Sequence, residues 1–257
     1  MNRLFSINPL TVAIAVVAAL IGLSFLVSDQ GGDMIGDLRL IFIALPIAII
    51  LYKGFDDFVG ITRKTAEWHP RWWLLSLPFL SVIALNLTSV SFSNLQLNFG
   101  EIPPMLFDNL MVGWIEEIWL RGILFYICYK AWGATRVGLI AACIVQALAF
   151  GALHFMNIGV EPIALVGFQV FYATAIGFGF GALMLMTRSI WPSILIHAGI
   201  DLVSAVEETF NPDYVPATEF TGIQMLIVTV ILFATFVVPG LIYLFKVPMR
   251  SGGTEPQ

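Results

Sequence analysis

Residues 104–129 read PMLFDNLMVGWIEEIWLRGILFYICY. The run is long and apolar enough to cross a bilayer, yet it holds two adjacent glutamates and an arginine, Glu116, Glu117 and Arg121, near its middle. A transmembrane helix needs about 20 mostly apolar residues. An ionisable side chain at that depth costs at least about 2.5–3.5 kcal/mol on insertion scales, and it marks a functional site by default. Three such groups so close together are hard to explain as packing, and the rest of the chain is read around them.

Composition gives them their setting. Of 257 residues, 59% are hydrophobic and only 11% charged, with a mean hydropathy of +0.91. A soluble domain carries about 25% charged residues, so an all-α polytopic membrane protein is expected. The net charge of −5 does not identify a partner, because the position of charges matters more than their sum here. No basic cluster points to nucleic acid; the expected partners are the lipid bilayer and a peptide or protein substrate at the membrane. Cys128 and Cys143 lie in apolar runs without zinc or disulfide spacing, and fit small core positions.

The 20-residue rule gives about eight spans, over 9–27, 35–52, 72–90, 105–129, 137–156, 162–186, 190–208 and 221–245. The first is expected to be a retained span, because Val27-Ser28-Asp29 lacks a small-x-small cleavage site. Pro46 and Pro78 are expected to kink the second and third. With this count, ten of the twelve basic residues fall on one side: Arg3, Lys53, Arg63, Lys64, Arg71, Lys130, Arg136, Arg188, Lys246 and Arg250. Arg39 lies on the other side and Arg121 within a span. The opposite connections carry Asp29, Asp33, Asp37, Glu101, Glu161, Asp213 and Glu219. The positive-inside rule then places both termini in the cytoplasm. A single integral-membrane domain over 1–250 is expected, with a short disordered cytoplasmic tail at 251–257. Segment 91–104 is too polar to span and is expected at the outer interface. Gly177 and Gly181 have the spacing of close helix packing.

Two of the three histidines fall inside spans. His154 follows Phe150 by four residues, and His197 precedes Asp201 by four. His69 belongs to a basic loop, as a solvated or interfacial residue. Residues four apart share a helix face, so Glu117 and Arg121 can neutralise each other within one helix. Glu116, rotated about 100° from Glu117, faces elsewhere without a local cation. Asp201 can orient His197 or fix its tautomer. The polar partner of His154 must come from another helix. Six polar groups able to do acid–base or ligand chemistry are thus concentrated on spans 4, 5 and 7, where a shared site is expected. At about 1.5 Å per residue, Glu116 lies ~20 Å above the cytoplasmic end, His154 ~25 Å, His197 ~12 Å and Asp201 ~18 Å. The carboxylates agree in depth and the histidines do not, unless the turn at 187–192 dips into the membrane and raises His197.

A carboxylate without a counter-charge, held near an imidazole in a low-dielectric cavity, is suited to taking a proton from water. Glu116 has that position, His154 could share the water, and His197 could stabilise a developing oxyanion. Alternatively Glu116, His154 and His197 could hold a divalent ion such as zinc, as an open site for metal-bound water. No other cofactor is implied. The HExxH helix of zincins is absent, as is the GxSxG elbow, and Asp201 has no second intramembrane aspartate for an aspartyl dyad.

In order and on separate spans, Glu116-Glu117-x-x-x-Arg121, Phe150-x-x-x-His154 and His197-x-x-x-Asp201 resemble the CPBP (Abi) family, which includes type II CAAX prenyl endopeptidases and bacteriocin-immunity-type proteins. The resemblance covers about 105–208 and implies an eight-span intramembrane protease. It implies that Glu116 activates water with the help of His154, that Glu117 and Arg121 support them, and that His197 and residue 201 form the oxyanion site. The prenyl-protease members have Asn where this chain has Asp201, and a carboxylate donates a hydrogen bond only when protonated.

The expected activity is therefore hydrolysis of a peptide bond in a membrane-associated substrate, by an enzyme of the bacterial inner membrane. A proton- or ion-coupled transporter using the same residues is the alternative, although inverted repeats are missing. A non-catalytic immunity or scaffold protein is the third reading.

Overall fold

With no water in a bilayer core, backbone groups must be satisfied within their own segment. Long apolar runs punctuated by Gly, Pro and charged turns therefore become helices. A computed structural model describes residues 56–249 continuously, together with 8, 10, 11, 13–19, 45, 46 and 49. The expected spans at 9–27 and 35–52 fall mostly outside the described residues, and the tail at 251–257 entirely so. The described chain is all-helical and has no strand; its one isolated β-bridge joins Ile158 to Glu161. Among the described residues, three helices are long and apolar enough to cross a membrane: Arg136–Asn157, Ile163–Thr187 and Gly222–Lys246.

The helices are numbered here from the first long one. α1 covers Trp72–Thr88 and is interrupted by a 3₁₀ turn at Leu77–Leu80, where Pro78 removes a backbone donor. α2 runs over 102–132, α3 is Arg136–Leu153, α4 is Ile163–Thr187, α5 is Trp191–Phe210 and α6 runs over 222–246. Caps set several of these boundaries. The Thr135 side chain accepts from Gly138 N at the start of α3. At the start of α6, Thr221 and Gln224 form a reciprocal capping box.

α4 is the central element, packed against α3 and α6, while α5 lies along α2. The second contact is close because of Gly113. A Cβ there would lie 3.0 Å from the Ala198 nitrogen, so the missing side chain lets α5 lie against α2 one turn from Glu116 and Glu117. Gly177 and Gly181 do the same for α3 against α4. A Cβ on Gly177 would meet Phe150, Ala147 and the Arg121 guanidinium, and one on Gly181 would meet Gln146 and Cys143. The expected close packing at this glycine pair is present, and it leaves room for two polar side chains. Both cysteines are buried and unpaired, as expected of core residues.

Segment 91–101, which holds only the short 3₁₀ turn Phe92–Asn94, is tied to the end of α5. Ser91 N donates to the Glu207 carboxylate, and Gln96 N donates to the Phe210 carbonyl at 2.8 Å. At the opposite end the α4–α5 turn is buried: Thr187, Ser189 and Ile190 have no exposed surface. Segment 59–61 covers it. Ile190 N donates to Val59 O at 2.9 Å, and Trp191 Nε1 donates to Ile61 O at 2.9 Å. Arg63 Nη1 and Arg188 Nη2 bond backbone carbonyls across the same seam, at Arg188 and Glu67.

Gly60 sits in that seam with φ of +62°, and a Cβ there would lie 2.3 Å from the Arg188 carbonyl oxygen. Gly60→Ala should therefore destabilise the detergent-solubilised protein by at least about 1–3 kcal/mol. Reversible unfolding will measure this, and unchanged stability would mean that the seam does not constrain the turn.

Candidate active site

α2 changes its winding where the charged residues lie. It is α-helical through Ile102–Glu117, π-helical over Ile118–Leu124 and α-helical again through Phe125–Trp132. At the end of the π segment the Phe125 amide reaches the Leu120 carbonyl, five residues back. Such wide turns occur mostly as single insertions, frequently at functional sites. Arg121 sits inside this one and Glu117 borders it.

The expected pairing of Glu117 with Arg121 is present: Arg121 Nη1 lies 3.1 Å from Glu117 Oε1, and neither side chain has any exposed surface. Burial this complete makes the pair demanding. Ions taken out of water lose solvation that only close partners restore. Arg121 has a further one, because its guanidinium lies over the Phe150 ring, 4.3 Å from the centroid, and 5.7 Å from that of Phe180. A desolvated cation–π contact is worth about 2 kcal/mol.

Glu117 is also more than a counter-ion. Its Oε1 lies 2.9 Å from His197 Nδ1. A carboxylate only accepts, so Nδ1–H donates to Glu117 and the ring is fixed in orientation. The expected orienting residue was Asp201, one turn along the same helix. The structure gives that place to Glu117, from a different helix. Asp201 Oδ2 lies instead 3.5 Å from the other nitrogen, Nε2, which Glu116 Oε2 approaches to 3.7 Å. His197 therefore has a closed side and an open side. Glu117 and Arg121 are fully buried, whereas the Glu116 and Asp201 side chains keep 24% and 28% of their surface exposed.

His154 stands at the end of α3, where the helix tightens into the 3₁₀ turn His154–Asn157. Its ring packs edge-on to Phe150 with centroids 5.4 Å apart, and His197 packs on Phe150 at the same separation. Phe150 thus joins both histidines and Arg121. Among the described residues the His154 side chain makes no hydrogen bond and no ion pair, with Glu116 or any other residue. Five of the seven expected residues, Glu116, Glu117, Arg121, His197 and Asp201, form one charged cluster, and Phe150 links His154 to it.

The ~8 Å difference in depth expected between Glu116 and His197 does not hold. α5 begins beneath the cover made by 59–61, so His197 reaches the level of the α2 glutamates. The postulated metal set of Glu116, His154 and His197 is not gathered either. Among the described residues no group of three His, Cys, Asp or Glu side chains is placed to hold a metal ion. His197 already has Nδ1 engaged by Glu117. The donors as arranged do not fit such an ion.

Several buried polar residues escape the sequence reading, and Gln146 is the largest of them. Gln146, fully buried in α3, donates from Nε2 to Gly177 O at 2.8 Å and to Cys143 O at 2.9 Å. It ties α3 to α4 behind Arg121. Its only signal is an isolated amide within an apolar span.

Residues 98–203 match the family model described as "Type II CAAX prenyl endopeptidase Rce1-like". The match covers less than half of the chain, and over that segment the chain is similar to the type II CAAX prenyl endopeptidases. The segment contains all seven residues singled out above. No curated protein and no solved structure matches the chain.

The buried Glu117–Arg121 pair makes a quantitative demand on its members. Glu117→Gln or Arg121→Met alone leaves an uncompensated buried charge, which should destabilise the protein by about 3–5 kcal/mol. The double variant should recover part of that loss. A double-mutant cycle by reversible unfolding measures the coupling, and simple additivity would contradict a paired role.

Proposed function

We propose that this protein is an integral-membrane endopeptidase that hydrolyses a membrane-associated peptide or protein by water activated at Glu116. The observation that carries this reading is the 3.7 Å approach of the partly open Glu116 carboxylate to a histidine nitrogen whose partner nitrogen is anchored by a buried carboxylate. The CAAX-protease family match over the same segment supports it. The polar site lies between spans 4, 5 and 7 of an eight-span chain, with both termini cytoplasmic, in a bacterial inner membrane.

In this reading Glu116 accepts a proton from water as the oxygen attacks the substrate carbonyl. His197, its Nδ1–H held by Glu117, acts in the imidazolium form, so that Nε2–H also donates, to the developing oxyanion. His154, at the edge of the Phe150 ring, is the second group that holds the water. Arg121 and Phe150 keep Glu117 and the two imidazoles in place and touch no substrate. All of these steps use the protein's own side chains and water, without a metal.

A fluorogenic peptide library presented to the purified protein in phospholipid vesicles tests the proposal. Cleavage should survive dialysis against a chelator. Glu116→Gln should lower it by about 100-fold or more, in the range of general-base contributions, with unchanged unfolding. His154→Ala should lower it less. Undiminished cleavage by Glu116→Gln, or ion flux across the vesicles without cleavage, would overturn it.

A further inference from the structure

Asp201 is the one carboxylate of the cluster that the reading above leaves without a task. It is not needed to orient His197, because Glu117 already does so from Nδ1 at 2.9 Å. Nor is it a buried structural ion like Glu117: more than a quarter of its side chain is open, on the same side as Glu116. α1 braces the backbone around it, with Asn86 Nδ2 donating to Ile200 O at 3.3 Å and to Ser204 Oγ at 2.8 Å. The charged and titratable groups that face Asp201 are His197 on its own helix, Glu116 and Glu117 on α2, and Tyr172 on α4. Glu116 and Asp201 are thus two like carboxylates approaching one nitrogen, 3.7 and 3.5 Å away, and both are partly open. Two carboxylates in such a position share a proton more readily than they both ionise.

Resting on the endopeptidase reading, we propose that Asp201 is the catalytic acid, which protonates the departing amine while Glu116 acts as the base. The cycle begins with one proton on the pair, carried by Asp201. Water gives a proton to Glu116 as its oxygen forms the new bond to the carbonyl carbon. The tetrahedral intermediate collapses, the C–N bond breaks with its electron pair going to nitrogen, and Asp201 delivers its proton there. The proton left on Glu116 passes back to Asp201, by way of His197 Nε2 or a water between them, and the pair is restored. No oxidant, metal or other co-reactant enters the balance. An asparagine at this position could donate a hydrogen bond but could not surrender a proton, so the acid is a property of this chain's own residue.

The leaving group gives the decisive test. A peptide cleaved in the vesicle library is compared with its depsipeptide analogue, in which an ester oxygen replaces the scissile nitrogen. An alkoxide leaves with less need of prior protonation than an amine does. Asp201→Asn, nearly isosteric, should lower kcat for the peptide by about 100-fold, with KM little changed, and should lower kcat for the ester by less than about threefold. Should Asp201→Asn fail to fold, Asp201→Ser carries the same comparison. Equal effects on peptide and ester, or no effect on either, would overturn the proposal and reduce Asp201 to a positioning residue. Glu116→Gln serves as the separate control for the endopeptidase reading, because it should abolish cleavage of both. If Glu116→Gln retains full cleavage, the reading itself fails whatever Asp201 does.

Discussion

The fold is organised around a buried guanidinium. Arg121 has no exposed surface and lies over the Phe150 ring, with Glu117 at 3.1 Å. A charge so deep must be paired wherever it is placed, and the surrounding elements accommodate this one. α2 unwinds into a π segment around it, α4 withholds a side chain at Gly177, and α3 supplies Phe150. The same carboxylate that answers the arginine also holds His197. Electrostatic need in the interior and orientation at the candidate site are thus met by one side chain. This explains why the two motifs, far apart in sequence, are fixed relative to each other.

Much of this is legible in the chain, and what is missing has physical causes. The all-helical class and the helices at 136–153, 163–187 and 222–246 follow from apolar runs bounded by charge, Gly and Pro. The Glu117–Arg121 pair follows from a four-residue spacing. The π segment does not, because its residues are compatible with an α-helix and the extra residue per turn is chosen by tertiary contacts. Nor does the Glu117–His197 bond: spacing reports neighbours on one helix, which favours Asp201 as the partner, whereas the actual partner comes from a helix about eighty positions away. Gln146 gives only the weak signal of one amide among apolar neighbours.

The two sides of His197 have different physical characters. On the Nδ1 side, Glu117 and Arg121 are dry and immobilised, so they hold the imidazole without exchanging with solvent. On the Nε2 side, Glu116 and Asp201 are partly open, so they can meet water and substrate. An imidazole between a fixed ion pair and a reactive carboxylate pair is oriented by the first and electrostatically coupled to the second. Separating these tasks matters in a low-dielectric interior, where a misplaced charge is much more costly than in water.

The depth of His197 is decided at the other end of its helix. Counting residues from the loop puts it several ångströms short of the glutamates, and it reaches them because α5 starts from a buried turn. Thr187, Ser189 and Ile190 are covered by segment 59–61, which satisfies the Ile190 amide and the Trp191 indole. Without that cover, the turn's polar backbone would require water and would stay at the surface. The left-handed Gly60 and the two arginines that bond carbonyls across the seam are therefore part of the site's construction, although none touches it. A basic loop read as ordinary positive-inside sequence fixes where the imidazole meets the carboxylates.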